Sequence, residues 1–189
     1  MIQNSEVLIV VPAYNEAVSI AQVISGIHSA GFSCVVVDDG SEDDTSHIAK
    51  EAGAAVLTLP FNAGVGGALR CGFRYAVENG FTAVIQCDAD GQHQSHHFQD
   101  LIRTANETQA DFVLGSRFLS AENTMDPHFV RRFAMWWLAR VASRATGRKI
   151  TDSTSGFRLI RRPLLDELAE HLPEYYLGDT FEALVVLGR

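Results

Sequence analysis

Two carboxylates two residues apart, in Asp88-Ala89-Asp90-Gly91-Gln92-His93, are the sharpest chemical feature of the sequence. In an extended segment residues i and i+2 face the same side, so Asp88 and Asp90 can address one hard divalent cation or its waters. Gly91 permits the turn that follows, and Gln92 offers a neutral oxygen ligand. Magnesium takes one or two carboxylates and completes its shell with water and substrate phosphates, which suits this set better than a closed all-protein cage. A solitary Asp-x-Asp is often only a solvated turn. Here other acids follow other apolar runs: Glu16 in Pro12-Ala13-Tyr14-Asn15-Glu16, and the pair in Asp38-Asp39-Gly40-Ser41. A carboxylate such as Asp39 can accept hydrogen bonds from a ribose or from the amino edge of a base, while Ser41 or Asp43 can cap a helix starting near Asp44. So much acid on one rim is repulsive unless a cation or hydrogen-bond donors offset it.

Other chemistries fit less well. The segment Asn62-Ala63-Gly64-Val65-Gly66-Gly67-Ala68 departs from the dinucleotide fingerprint and has no Lys-Ser/Thr pair of a P-loop, so it predicts only close backbone approach at a helix start. His93, His96 and His97 do not have zinc spacing, since His96 and His97 point about 100° apart on a helix; His93 can stand behind the Asp88/Asp90 pair. There is no Gly-x-Ser-x-Gly elbow. Cys34, Cys71 and Cys87 lie in or beside apolar runs without CxxC spacing, which predicts buried thiols and a reducing cytosol.

These residues need a scaffold, and the sequence supplies one. Short β-branched runs at 7–11, 34–37, 55–59, 83–87 and 112–114 alternate with amphipathic segments at about 16–30, 43–53, 65–79 and 95–107. That alternation predicts an α/β fold, a mostly parallel sheet flanked by helices, with five strands buried on both faces. Gly31, Gly53 and Gly80 stand where left-handed caps close helices. In such sheets ligands bind beyond the carboxyl ends of the strands, which is where the acids are.

After Gly115, residues 128–147 form one long segment of helical periodicity carrying Arg131, Arg132, Arg140 and Arg144. Periodicity leaves two readings open: a helix packed on the core with solvated arginines, or a basic amphipathic surface, with Trp136 and Trp137 at an interface, that meets anionic lipid or an acidic acceptor.

Composition sets the outer bounds. At 189 residues one domain with one sizeable core is expected, burying roughly 70% of the surface the unfolded chain exposes. A net charge of −8 lacks the basic field that nucleic-acid binding uses, so no nucleic-acid partner is expected. The chain is 47% apolar and 20% charged, a globular balance, and no segment approaches the roughly 18 apolar residues of a membrane span. The first six residues lack the basic-then-apolar pattern of a secretory signal, so a cytoplasmic protein is expected.

Five motifs occur in order: Pro12-Ala13-Tyr14-Asn15-Glu16, Val37-Asp38-Asp39-Gly40-Ser41, Asp88-Ala89-Asp90-Gly91-Gln92-His93, Gly115-Ser116-Arg117-Phe118 and Ser155-Gly156-Phe157-Arg158. On these the chain, from about Val7 to Glu182, resembles a family 2 glycosyltransferase with the GT-A fold, a Rossmann-like sheet. It most resembles the polyprenyl-phosphate branch that includes the dolichyl-phosphate mannose synthases. The resemblance implies a nucleotide-sugar donor held by Pro12, Tyr14, Glu16 and Asp39, with Asp38, Asp88 and Ala89 on the same side. It implies Mg2+ or Mn2+ on the donor diphosphate, bound by Asp88, Asp90 and Gln92. It directs Arg117, and Arg131 or Arg132, to the phosphate of a lipid acceptor at a membrane surface, which tips the reading of the long basic segment toward the acceptor.

The reaction so implied is a single inverting displacement at the anomeric carbon, with Asp90 and Arg117 nearest the chemistry. A phosphate acceptor is already ionised near neutral pH and needs positioning rather than a base; a saccharide or protein hydroxyl needs one, for which Asp179 is the candidate, its alternative role being a helix cap. The Gln-x-x-Arg-Trp motif of processive relatives is absent. A non-catalytic nucleotide-sugar-binding module is the third reading. Relatives continue past this point with a further strand and basic residues, so residues 1–189 are expected to be a single catalytic domain lacking its native C-terminal segment. Its expected place is cytoplasmic, peripheral on the cytoplasmic face of the membrane.

Overall fold

Valine and isoleucine are stiff at χ1 and fit a pleated surface, so the β-branched runs extend and pair. The computed structural model describes residues 1–91, 97–115 and 156–172. After a 3-10 turn at Asn4–Glu6 the strands are β1 (Val7–Ala13), β2 (Ser33–Asp38), β3 (Ala55–Thr58), β4 (Ala83–Gln86), β5 (Phe112–Leu114) and β6 (Arg158–Arg161). The helices are α1 (Ile20–Ser29), α2 (Thr45–Glu51), α3 (Gly64–Glu78), α4 (His97–Thr108) and α5 (Leu164–His171). The sheet order is β3-β2-β1-β4-β6-β5. Strands β1, β2, β3 and β4 pair in parallel, whereas β6 runs antiparallel to both β4 and β5.

The period-2 alternation of β1 builds two cores. Val7, Ile9 and Val11 join Cys34, Val36 and Ile85 under Ile20, Ile24 and Ile27 of α1 and Phe98 and Leu101 of α4. Leu8 and Val10 join Val35, Val37 and Val84 under Leu69 and Phe73 of α3 and Leu165 and Leu168 of α5. Helix α3 lies close to the sheet because Gly72 has no side chain: a Cβ there would collide with the Val10 side chain and stand 3.3 Å from Val37 Cγ2.

The expected mostly parallel sheet with helical layers is present, with two corrections. Strands β3 and β5 are the sheet's edges and are only partly buried, so double burial holds for the inner strands alone. The antiparallel β6 and helix α5 were not expected, because Arg158-Leu159-Ile160-Arg161 offers only two apolar residues between arginines. Helix α1 begins four residues later than its periodicity predicts, since Glu16–Ser19 forms a turn whose carbonyl at Glu16 accepts from Ser19 and Ile20. The cap glycines hold: Gly31, Gly53 and Gly80 have φ of 82°, 89° and 80°. Among the described residues no helix is long and apolar enough to cross a membrane.

Candidate active site

The chain winds from β1 out to β3 and then returns to the other side of β1 as β4, which opens a crevice beyond the carboxyl ends of β1 and β4. Three loops meet there. The loop after β1 is stitched to the loop after β2 by backbone and side-chain hydrogen bonds. Asn15 N–H donates to Ser41 Oγ at 2.9 Å, and Glu42 N–H donates to Asn15 Oδ1 at 2.9 Å. Glu16 N–H donates to Thr45 Oγ1 at 2.8 Å, and Ala17 N–H to Asp43 Oδ2 at 3.2 Å. Asn15 accepts a φ of 56° to make this possible, a conformation asparagine tolerates better than most residues. Thr45, fully buried, donates its hydroxyl to Asp43 Oδ1, whose partner set holds the Asp43 carboxyl below its ordinary value, the Thr45 hydroxyl contributing most. Neither cap candidate is the N-cap of α2, which is Asp44 without a side-chain cap: Asp43, one residue before it, accepts from Thr45 N–H at 3.0 Å in a turn at the helix start, and Ser41 serves the β1 loop.

The two acids ending β2 are nearly inaccessible and anchor further turns. Asp38 Oδ1 accepts from Ser41 N–H at 3.0 Å, and Asp39 Oδ1 from Ala63 N–H at 2.7 Å, which ties the loop before α3 to the rim. Gly40 lets that loop close in: its φ is 72°, and a Cβ would stand 2.7 Å from the Phe61 carbonyl carbon. The glycines of 64–67 shape the start of α3, where Gly64 has a φ of 81°. A Cβ at Gly67 would lie 2.8 Å from Ala63 Cβ, and Asn62 Oδ1 accepts from Gly64 N–H at 3.0 Å.

After β4, Asp88 is half-buried and Asp90 exposed, with Gly91 turning at φ 75°. The antiparallel register pairs Gln86 with Arg158, so two residues further on Asp88 lies across from Gly156. A Cβ at Gly156 would stand 2.6 Å from Asp88 Oδ2 and 2.8 Å from its Cγ. Beneath them Arg158 Nε donates to Gln86 Oε1 at 2.7 Å, with Arg158 4% and Gln86 3% exposed. The neighbouring Cys87 thiol is pushed up to about 12, first by burial and then by the charges of Asp88, Asp90 and Cys34.

The structure therefore brings Pro12, Tyr14, Glu16, Asp38, Asp39, Asp88, Ala89 and Asp90 to one end of the sheet. Their surroundings differ. Tyr14 is 44% exposed; Glu16 Oε2 accepts from Ser19 Oγ at 2.7 Å; Ala89 is buried in the α1/α4 core. Gln92, Arg117, Arg131, Arg132 and Asp179 lie outside the described residues, as do His93, His96 and the segment 128–147. His97 pairs with Asp100 at 3.4 Å on α4. Two features went unread in the sequence. Phe61, 68% exposed, presents an aromatic face at the end of β3, and the Gln86–Arg158 pair lies beneath the rim; a polar residue within a strand run was the signal for the latter.

Asp88 and Asp90 are hard oxygen donors, and the bare Cα of Gly156 leaves the room that the Asp88 carboxylate occupies, so the set fits a divalent cation of the Mg2+ or Mn2+ kind. Among the described residues no three His, Cys, Asp or Glu side chains gather into a cage. An ion here would complete its shell with water and ligand oxygens.

Residues 8–169 match the model of glycosyl transferase family 2. The chain belongs to that family. Among its relatives, the polyprenol monophosphomannose synthase of Mycolicibacterium smegmatis is 31% identical over 170 residues, 85% of this chain and 63% of that protein. The UDP-N-acetylglucosamine–dolichyl-phosphate N-acetylglucosaminyltransferase of Methanococcus voltae is 27% identical over 97% of this chain and 80% of its own length. The chain thus spans less than two thirds of the mycobacterial enzyme. The fold is shared with glucosyl-3-phosphoglycerate synthase of Mycobacterium tuberculosis, solved with Mn2+, uridine diphosphate and phosphoglyceric acid, at a TM-score of 0.62 and 23% identity over 84% of this chain and 56% of that one. The family and the GT-A type of sheet are those the five motifs imply.

Proposed function

We propose that this chain transfers a sugar from a nucleoside-diphosphate sugar to a polyprenyl phosphate at a membrane surface. The observation that carries the reading is that the parallel neighbours β1 and β4 place Tyr14, Glu16, Asp88 and Asp90 beyond their carboxyl ends at the switch point of the sheet, with the loops after β1 and β2 tied to each other. Both relatives named above are, by their names, transferases acting on polyprenol or dolichyl phosphate, with mannose in one case and N-acetylglucosamine in the other. The donor sugar therefore stays open.

In this reading Pro12, Tyr14, Glu16, Asp38 and Asp39, with the main chain at Ala89, line the nucleotide, and the exposed faces of Tyr14 and Phe61 offer a base something to stack on. Asp88, Asp90 and Gln92 hold Mg2+ or Mn2+. When bound, that ion supplies positive charge against the negative charge that develops on the departing diphosphate. Arg117, with Arg131 or Arg132, orients the acceptor phosphate by charge-assisted hydrogen bonds. One phosphate oxygen forms the bond to the anomeric carbon from the face opposite the leaving group, the bond to the nucleoside diphosphate breaks, and the anomeric configuration inverts. The acceptor is ionised before it binds, so no residue need take a proton, and placement carries the rate.

The test is transfer of labelled sugar to a polyprenyl phosphate in detergent or vesicles. Asp90→Asn is expected to lower turnover by at least about a hundredfold, the scale of losing one preorganised electrostatic contact in the transition state. Unchanged turnover refutes the reading. Arg117→Ala severe with Asp179→Asn mild supports the phosphate acceptor; the reverse pattern assigns a hydroxyl acceptor with Asp179 as its base.

A further inference from the structure

The glycine at 156 is required by space and not by backbone conformation. Its φ is outside the left-handed region, where the glycines at 40 and 91 sit, so any residue could adopt its backbone. What excludes a side chain is the Asp88 carboxylate, which lies against the Cα where Cβ would be, 2.6 Å from Oδ2 and 2.8 Å from Cγ. Those atoms end a flexible side chain, so a Cβ at 156 is accommodated by displacing the carboxylate itself from where it stands. The relation is built into the sheet. The β4–β6 register that pairs Gln86 with Arg158 puts residues 88 and 156 opposite each other, and the buried hydrogen bond from Arg158 Nε to Gln86 Oε1 fixes that register two residues below the contact.

We propose that Gly156 is a positioning residue for the donor site: by presenting a bare Cα across from Asp88, held in register by the Gln86–Arg158 pair, it sets where the Asp88 carboxylate stands and so which rotamers can face a donor diphosphate and its cation. The inference deepens the proposed function and rests on it. β6, which contributes no acid to the rim, becomes part of the site through the shape of its backbone. The smallest substitution, Gly156→Ala, turns the Asp88 carboxylate aside while leaving the loops around Tyr14, Glu16 and Asp39 as they are. A change that displaces a ligand from behind costs about ten- to a hundredfold in metal affinity.

The experiment compares the full chain, Gly156→Ala, Asp88→Ala and the double variant by calorimetric titration with UDP and GDP, each with and without Mn2+, and by thermal denaturation. In the unsubstituted chain Mn2+ strengthens nucleoside diphosphate binding. Gly156→Ala is expected to lose at least about tenfold of the Mn2+-dependent affinity while the metal-free affinity stays as it was. It is also expected to lower Tm by about 2–12 °C, the range that overpacking produces in a domain of this size, and most of that loss should vanish when Asp88 is already alanine. Unaltered Mn2+-dependent affinity in Gly156→Ala overturns the inference. So does an equal Tm loss, or a failure to fold, in both Asp88 backgrounds, because the clash is then not with that carboxylate. If Mn2+ fails to strengthen binding in the unsubstituted chain, the proposed donor chemistry falls with the ligand role of Asp88. The Tm comparison then still decides whether Gly156 sets that side chain.

Discussion

Replacing Gln86 by leucine removes one hydrogen bond and almost no volume, yet the structure predicts a large effect. Gln86 and Arg158 are directly paired across β4 and β6, both more than nine-tenths buried, and the 2.7 Å bond joins a charged donor to a neutral acceptor. Hydrogen bonds to charged groups contribute about 1.5–3 kcal/mol, and a buried partner left unsatisfied costs about 1–3 kcal/mol. Gln86→Leu is therefore expected to cost about 2–3 kcal/mol. Arg158→Met, which strands Gln86 Oε1 and removes the other interactions of the arginine, should cost at least as much. At this chain length each kcal/mol moves Tm by about 2–4 °C, so either variant should melt about 4–12 °C lower. The discriminating measurement is the double variant in urea. Where two apolar side chains face each other neither polar atom is stranded, so the double loss should fall short of the sum by about 1 kcal/mol or more. Additivity within about 0.5 kcal/mol would show that the two side chains do not depend on each other, and the reasoning about a register-fixing pair would fail.

Two further outcomes follow from the loops and the thiols. Thr45→Val keeps the volume but strands Glu16 N–H and frees Asp43; it should cost about 1–3 kcal/mol in urea denaturation, raise the donor KM several-fold, and let the Asp43 carboxyl rise toward its ordinary value, as carbon NMR titration would read. Burial lifts the Cys34 thiol from 9.0 to about 11 and the Cys87 thiol to about 12, so both stay protonated in the folded chain while the unfolded chain ionises. Their contribution is present in full below pH 9 and is lost as pH rises through the folded values, at about 1.4 kcal/mol per pH unit for each thiol; in native protein only the half-buried Cys71 should react promptly with a thiol reagent, and equal labelling of all three would contradict the burial.

Much of the frame was legible because the parallel inner strands β1, β2 and β4 lie in apolar runs rich in β-branched residues and the first three αβ junctions carry glycine caps, signals that are local; the fourth junction turns on Gln109 at φ 56° instead. The acids of the site were legible for the same reason: they directly follow the runs. What stayed hidden depends on residues distant in sequence. Asp39 reads as a ligand contact, and the structure gives it a further role that its neighbours in sequence do not show: Oδ1 accepts from Ala63 N–H, 24 residues away. Ser41 and Asp43 read as alternative caps, but the N-cap of α2 is Asp44; Asp43 holds the turn before it and Ser41 the neighbouring loop. β6 escaped because pairing on both sides, not composition, makes it a strand. The exposed end of β3 escaped because an edge strand loses one covering layer, which no period within the run records.

The acidic rim can now be divided by what each carboxylate holds. Asp38 and Asp39 accept from Ser41 and Ala63 main-chain N–H groups, Asp43 from Thr45 and Ala17, and Glu16 from the Ser19 hydroxyl. In each case a neighbouring turn supplies the donor. That arrangement answers the repulsion the sequence raises, because the negative charge is met by fixed dipoles before any ligand arrives. It also explains how the loops after β1 and β2 are held together: the acids there act as ties. Asp88 and Asp90 follow β4 instead, Asp88 against the bare Cα of Gly156 and Asp90 exposed. A rim whose loops are ordered by their own hydrogen bonds leaves little ordering cost for a donor to meet on binding. The acids that tie these loops thus serve the structure of the rim, and in the proposed reading Asp88 and Asp90 meet the cation of the donor diphosphate.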